Sequence, residues 1–195
     1  MTPVARLNIT LHEVEPQLRR RVDVPLTIKL SCLHDVLQAA MGWSCSHLCE
    51  FRAADVGWGI PMAELDDDGL LPASKASLLN LIEDAGIQTI HYFYDFDDNW
   101  HLVIVVEEID DAIVGAKYPH LVQAIGASPP EDVGGLSGYA YFLEAMADQN
   151  HDDHDRMLEW YGERFDPDVA ETGRILDNFE RLAMKWARSV PGVDE

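Results

Sequence analysis

Leu7, Ile9 and Leu11 alternate with polar neighbours, so Arg6 to Val14 predicts a strand with one apolar face. Glu15-Pro16 interrupts it, and Arg19 to Val24 resumes an alternating run that stops at Pro25. Two such runs this close predict an antiparallel hairpin. Its arginines are expected on the solvent face, with Arg19 and Arg21 on one side of a solvated edge strand. The period then changes. Leu33, Val36, Leu37 and Ala40 recur at helical spacing, with Ser31 as the expected N-cap and Gly42 just past the end. Trp43 to Phe51 reads as a turn entering a strand, and Asp55 to Pro72 as loop, with a turn signal at Asp66-Asp67-Asp68-Gly69. Ser77 to Ala85 predicts a short helix stopped by Gly86.

Thr89 to Tyr94 and Trp100 to Glu107 are rich in β-branched and aromatic residues, which suit a pleated, half-buried surface. With Asp97-Asp98-Asn99 as their turn, they predict a hairpin at the centre of the sheet. Beyond it the pattern turns helical. Tyr139, Phe142, Leu143 and Met146 form one stripe after Gly134-Gly135 and Ser137. Met157, Leu158, Trp160 and Tyr161 form another, with Asn150 as its cap. Ile175, Leu176, Phe179, Leu182, Ala183 and Trp186 form a third, with Asp166-Pro167 as its expected start. The pattern predicts one α+β domain over 1–195, strand-rich to residue 110 and mainly helical from 111. In it, an antiparallel sheet from the N-terminal half packs against helices mostly from the C-terminal half.

Composition refines this picture. In 195 residues, 47% are hydrophobic, enough for a substantial core, and the formal net charge is −21. The charge is uneven: up to Ile60, six Lys or Arg balance six Asp or Glu, so the whole excess lies from Pro61 onward. A surface like this repels phosphate and disfavours direct nucleic-acid binding. No run approaches the ~20 apolar residues that span a bilayer, which predicts no membrane partner. Cys32, Cys45 and Cys49 are odd in number and crowded together, unlike a secreted disulfide framework, so a cytoplasmic protein is expected.

Candidate chemistry is sparse. Asp95-x-Asp97-x-Asn99 opens like a calcium loop, but Trp100 and Val106 stand where glycine and glutamate are needed, so a hairpin turn is expected. Cys45, His47 and Cys49 would share one face of an extended strand and offer two thiolates and an imidazole. His151 and His154 lie near one helix face, but not at the four-residue spacing of a zinc hydrolase. Nucleophile and phosphate-loop motifs are absent, so no catalytic residue is assigned. Gly134-Gly-Leu-Ser-Gly138 before a helix could hold an anion through its amides, though capping explains the glycines more simply.

Several segments together carry a family resemblance. "LNITLHEVEPQLRRRVDVP", "AAMGWSCSHLCEF", "YFYDFDDNWHLVIVVE", "YPHLVQAIGASPPEDVGGLSGYAYFLEAMAD" and "HDDHDRMLEWYGERFDP" follow one another as in the plasmid pRiA4b ORF-three-like family. The resemblance spans Val4 to Pro167. It implies an α+β domain and little about function, since the family is essentially uncharacterised. Some members carry labels of insertion-element passenger or resolvase. No serine-recombinase constellation or basic DNA-binding part is present, so resolvase activity is not carried over.

The departures from the family pattern point to a site. Members read His-Leu-His where this chain has His47-Leu48-Cys49, and Gly-Asp where it has Asp97-Asp98. They place a histidine at the position of Leu102, and cysteines at those of Ser128 and Val133. Histidine and cysteine are metal-ligand types. The resemblance therefore implies that these segments converge on a polar or divalent-metal site, of which this chain keeps His47, Cys49, Asp95, Asp98, Glu131 and Asp132. The competing expectation is that these positions merely pack. The leading functional expectation is a binding or interaction module with an unidentified protein partner, associated with mobile elements. Alternatives are a metal-dependent hydrolase-like enzyme using Asp95, Asp98, Glu131 and Asp132 near His47, and an acidic decoy that mimics DNA.

Overall fold

The alternating runs at the start of the chain form β1 (Pro3–Leu11) and β2 (Arg19–Pro25), paired antiparallel with Ile9 opposite Arg20. A computed structural model describes residues 3–60 and 69–189. After the hairpin come α1 (Leu30–Met41), β3 (Cys49–Ala53), β4 (Val56–Gly59), β5 (Leu71–Pro72), α2 (Leu78–Ala85), β6 (Thr89–Tyr94) and β7 (Trp100–Asp111). β8 (His120–Ile125), α3 (Gly135–Ala147), α4 (His154–Tyr161) and α5 (Thr172–Ser189) complete the order. The strands form one eight-stranded sheet, β5-β4-β3-β6-β7-β1-β2-β8. All pairs are antiparallel except β4 with β5. This is the expected α+β architecture, with the β6–β7 hairpin at its middle.

Alternation sorts the side chains onto two faces. Leu7, Ile9, Phe51, Tyr92, Tyr94, Trp100, Leu102 and Ile104 point to one side and are buried. They join Leu33, Val36, Leu37, Tyr139, Phe142, Ile175 and Phe179 from the helices in a single hydrophobic cluster. Helix α5 lies against α1, where Asn178 donates to the carbonyl of Ala39 at 3.2 Å and Lys185 pairs with Asp35 at 3.1 Å. The outer face carries Arg6, Arg21, His91, Phe93, His101, Val103 and Val105, all partly exposed. Ion pairs cross it, Arg6 to Asp23 at 2.8 Å and Arg21 to Glu107 at 2.6 Å. Among the described residues, no helix is long and apolar enough to cross a membrane.

Several expectations fail for local reasons. The chain past residue 110 is not purely helical: His120–Ile125 adds an edge strand beside β2. Its residues are half or fully exposed, so no buried-face alternation advertises it. Asp55 to Pro72 is not all loop, since β4 and β5 lie within it. The turn signal at Asp66 to Asp68 falls outside the described residues. Ser31 is already inside α1, whose N-cap position is Lys29. Asp153, not Asn150, occupies the cap of α4. Asp166-Pro167 closes a turn, with the Val169 amide donating to the Asp166 carbonyl, and α5 begins only at Thr172.

Arg20 is the most informative exception. It faces the core, not solvent, and is 1% exposed. Its guanidinium donates to the carbonyls of Ala40, Arg19 and Ile125 and to the Ser128 hydroxyl, at 2.7–3.0 Å. Ala40 lies in the last turn of α1, whose carbonyls lack intrahelical donors. Burial still pushes this guanidinium down to about 10. One arginine thus ties the end of α1, the sheet edge and the segment leading to α3 together.

Candidate functional site: a loop crevice at the end of the central hairpin

Loops from separate parts of the chain meet at the end of β6. The first follows α1. Gly42 ends that helix in the left-handed region, at φ 75°, and its neighbour Trp43 donates its amide to the Gln38 carbonyl. The Gln38 side chain then accepts from the Cys45 amide at 3.0 Å, where φ is also positive at 61°. The second loop is the β6–β7 turn. Asp95 has φ 58° and accepts from the amides of Asp97 and Asp98 through Oδ1. This local bonding is why Asp suits the position, and it confirms the turn over the calcium loop. The third loop precedes α3, with Asp132 at φ 58°.

Aromatic and polar contacts lock the loops. Trp43 stacks on Tyr94 at 5.0 Å and donates its indole N–H to the Pro129 carbonyl at 3.1 Å. Tyr94 donates its hydroxyl to Glu131 at 2.7 Å and accepts from the Ser46 amide at 3.2 Å. Burial, then the Glu131 bond, pushes this phenol up, so it stays protonated. The second Glu131 oxygen accepts from the Ser44 amide at 2.9 Å. Asp98 accepts from the Gly134 amide at 3.2 Å, at the start of α3. A Cβ on Gly135 would lie 2.5 Å from the Asp98 carbonyl oxygen, and φ there is +65°, so only glycine lets the turn and helix approach.

Against this frame sits a trio. The His47 Nδ1 is 3.6 Å from Asp95 Oδ2, and its Nε2 is 3.2 Å from Asp132 Oδ1. One ligand atom from each residue lies within 4.8 Å of the others. Asp95 is buried, His47 is half-buried and Asp132 is exposed, so the trio runs from the core outward. The His47 Nε2 atom is itself buried and makes no hydrogen bond. An imidazole with two carboxylates is a mixed nitrogen and oxygen donor set suited to a divalent cation.

The predicted site residues therefore divide. His47, Asp95 and Asp132 come together. Glu131 and Asp98 border them, but their oxygens hold Tyr94, Ser44 and Gly134. Cys49 does not join: it is buried in β3, where desolvation pushes its thiol up to about 11. Cys45 points elsewhere, to His34 and Asp35, so the expected Cys45–His47–Cys49 face does not form. The bend at Cys45 breaks the extended run on which that expectation rested. All three cysteines are free, and burial raises each thiol, which suppresses thiolate nucleophiles. His154 bonds the Ala145 carbonyl and His151 accepts from the Asp153 amide, so that pair closes a helix junction. The Gly134 amide is likewise engaged, by Asp98.

Sequence reasoning missed Trp43, Tyr94 and Gly135. Tyr94 ends a strand whose even positions face inward, which places its hydroxyl toward the loops; that signal was present. Nothing local marks Gly135 as the contact point of a turn 37 residues earlier. Asp132 also lines a cleft of about 470 Å³ with Gly134, Ser137, Tyr141, Phe142 and Trp160.

An eight-stranded antiparallel-rich sheet with this loop crevice defines an α+β protein of one recognisable group. The family model described as "Plasmid pRiA4b ORF-3-like protein" matches residues 3–173, and the chain belongs to that family. It is similar to the uncharacterized protein y4hQ of Sinorhizobium fredii, 48% identical over 186 residues and covering 95% of each chain. It also resembles the crystal structure of a protein of unknown function, MM3350 from Methanosarcina mazei Go1. That likeness has a TM-score of 0.78 and 31% identity, covering 87% of this chain and 95% of the other.

Proposed function

We propose that this chain is a one-domain binding module whose ligand site is the loop crevice, with a divalent cation held by His47, Asp95 and Asp132. The observation that carries the reading is the His47 Nε2 atom, buried and without a hydrogen bond beside two carboxylates. Asp132 Oδ1 faces that nitrogen at 3.2 Å without completing a hydrogen bond, and a cation held between them would satisfy both. The neighbouring cleft shares Asp132, so a ligand lying against Tyr141, Phe142 and Trp160 could reach the cation with a polar group. The binding reading is favoured over the hydrolase-like one because Glu131 and Asp98 are committed to Tyr94, Ser44 and Gly134. No observation favours a DNA-mimic face or a mobile-element role.

The test is direct. Protein purified without an affinity tag and stripped with chelator is titrated with Mn²⁺ and Mg²⁺ by calorimetry and thermal shift. A cation at 100 times its Kd adds about 2.7 kcal/mol to stability. Asp95→Asn and His47→Gln are each expected to weaken binding at least tenfold. Wild-type protein that shows neither heat nor a shift with either ion sinks the proposal.

A further inference from the structure

A second cluster lies on the outer face of the sheet, away from the loop crevice. His101 of β7 stands opposite Phe93 of β6, and His91 opposite Val103, so the two histidines are diagonal neighbours on one face. His91 Nδ1 lies 2.9 Å from His101 Nε2. His12, just past β1, flanks His101 from the other side, with ring centroids 4.9 Å apart. Its amide donates to the His101 carbonyl at 2.9 Å, which fixes its place beside the strand. Glu13 follows at φ 59°, and its carboxylate is 3.7 Å from His12 Nε2. Phe93 stacks on His101 at 4.5 Å and holds that ring upright.

Two imidazole nitrogens facing each other at this distance share one hydrogen. A neutral imidazole has a single N–H and a single lone pair. Moving the shared hydrogen to the far nitrogen of its own ring leaves both facing nitrogens as ligands. A tetrahedral Zn²⁺ with Zn–N bonds of 2.0–2.1 Å needs its nitrogens only about 3.3 Å apart. Small side-chain rotations supply the difference. We infer that His91 and His101 chelate a borderline transition-metal cation such as Zn²⁺, with His12 swinging in as third ligand and Glu13 beside it. The exposed His12 side chain is free to make that swing.

The site is independent of the crevice and differs from it in kind. Imidazole-rich sets select zinc, copper and nickel, whereas carboxylate-rich sets accept harder ions. In the test, untagged, chelator-treated protein is titrated with Zn²⁺ against a chromophoric competitor, and with Co²⁺ by visible absorption. The wild type is expected to bind Zn²⁺ and to give the strong bands of four-coordinate Co²⁺. His91→Gln and His101→Gln should each weaken Zn²⁺ at least tenfold and remove those bands. His12→Gln should have a smaller effect. Four-coordinate Co²⁺ bands that survive the His91 and His101 substitutions overturn the inference, as does a wild type that binds no Zn²⁺. If a histidine variant fails to fold, the wild-type imidazole resonances decide. Signals of His91 and His101 that do not move on adding Zn²⁺ overturn the inference equally.

Discussion

On the inner face of β6 and β7, Tyr92, Tyr94, Trp100 and Leu102 pack beneath helices. On the outer face of the same strands, His91, Phe93, His101 and Val103 are half-exposed. Inside, both strand phenols are held by partners, while the Trp100 indole N–H is buried without one. The Tyr92 hydroxyl meets His34 at 2.7 Å and Gln38 at 3.0 Å, and Tyr94 bridges Glu131 and Ser46. Outside, imidazoles meet mainly one another. The difference is one of constraint. Buried polar groups must be satisfied by the fold itself and become part of its framework. Groups at the rim of the sheet, or at its loop end, can leave a lone pair for something else. Both candidate cation sites lie in that second category.

Substitutions graded by position would break or sharpen this contrast. Trp100→Ala removes an aromatic side chain that is 1% exposed, and should cost about 3–5 kcal/mol. Urea denaturation reads this as a lower midpoint, and a loss under ~1 kcal/mol would mean the inner face is not the core. Gly135→Ala comes next, at roughly 2–4 kcal/mol, because its methyl meets the Asp98 carbonyl in a left-handed backbone. The same variant should weaken Mn²⁺ binding, since it pushes the hairpin turn away from Asp132. Unchanged stability and affinity together would show that turn and helix are not coupled.

A smaller effect concerns acid. Burial pushes His34 down from its ordinary value, with Asp35 opposing, and His101 is lowered likewise. The unfolded chain therefore takes up protons first as pH falls. The corresponding stability is present in full above the unfolded value near 6.5 and is lost as pH drops below it. Melting temperature should fall between pH 7 and 5.5, and His34→Gln should flatten that slope; an equal slope in the variant removes His34 as its source. The smallest effect is expected at Arg21→Ala. Its ion pair with Glu107 is partly exposed, so the loss should stay within about 1 kcal/mol and shrink with added salt.

Much of this molecule could be read in advance where burial imposes a period. β1, β2, β6 and β7 alternate because one face of each meets the core. Helix α1 ends where Gly42 reaches the left-handed region, as its place in the sequence suggests. The reading fails where tertiary contact alone decides. β8 pairs with β2 without a buried stripe of its own, and Arg20 faces inward because the orphan carbonyls of α1 need a donor. Of the candidate site, His47, Asp95 and Asp132 lie together, and Asp98 and Glu131 lie at their edge. Cys49 stands apart because it is buried in β3, and the positive φ at Cys45 interrupts the extended run that would put Cys45, His47 and Cys49 on one face. The pairing of the outer histidines is not legible in the sequence, because diagonal neighbours on paired strands depend on the register.

The strand order has a consequence for synthesis. β1 leaves the ribosome first, yet its second sheet partner, β7, ends at Asp111. At about 5–20 residues per second, the β1 edge of the β1–β2 hairpin stays unpaired for on the order of 5–20 s, and the β2 edge waits longer still, for β8. Its interior place in the sheet is therefore filled late, by a long-range pairing that must find an already formed hairpin. A nascent chain halted before Trp100 should still expose that edge, whereas one released past Asp111 can close it.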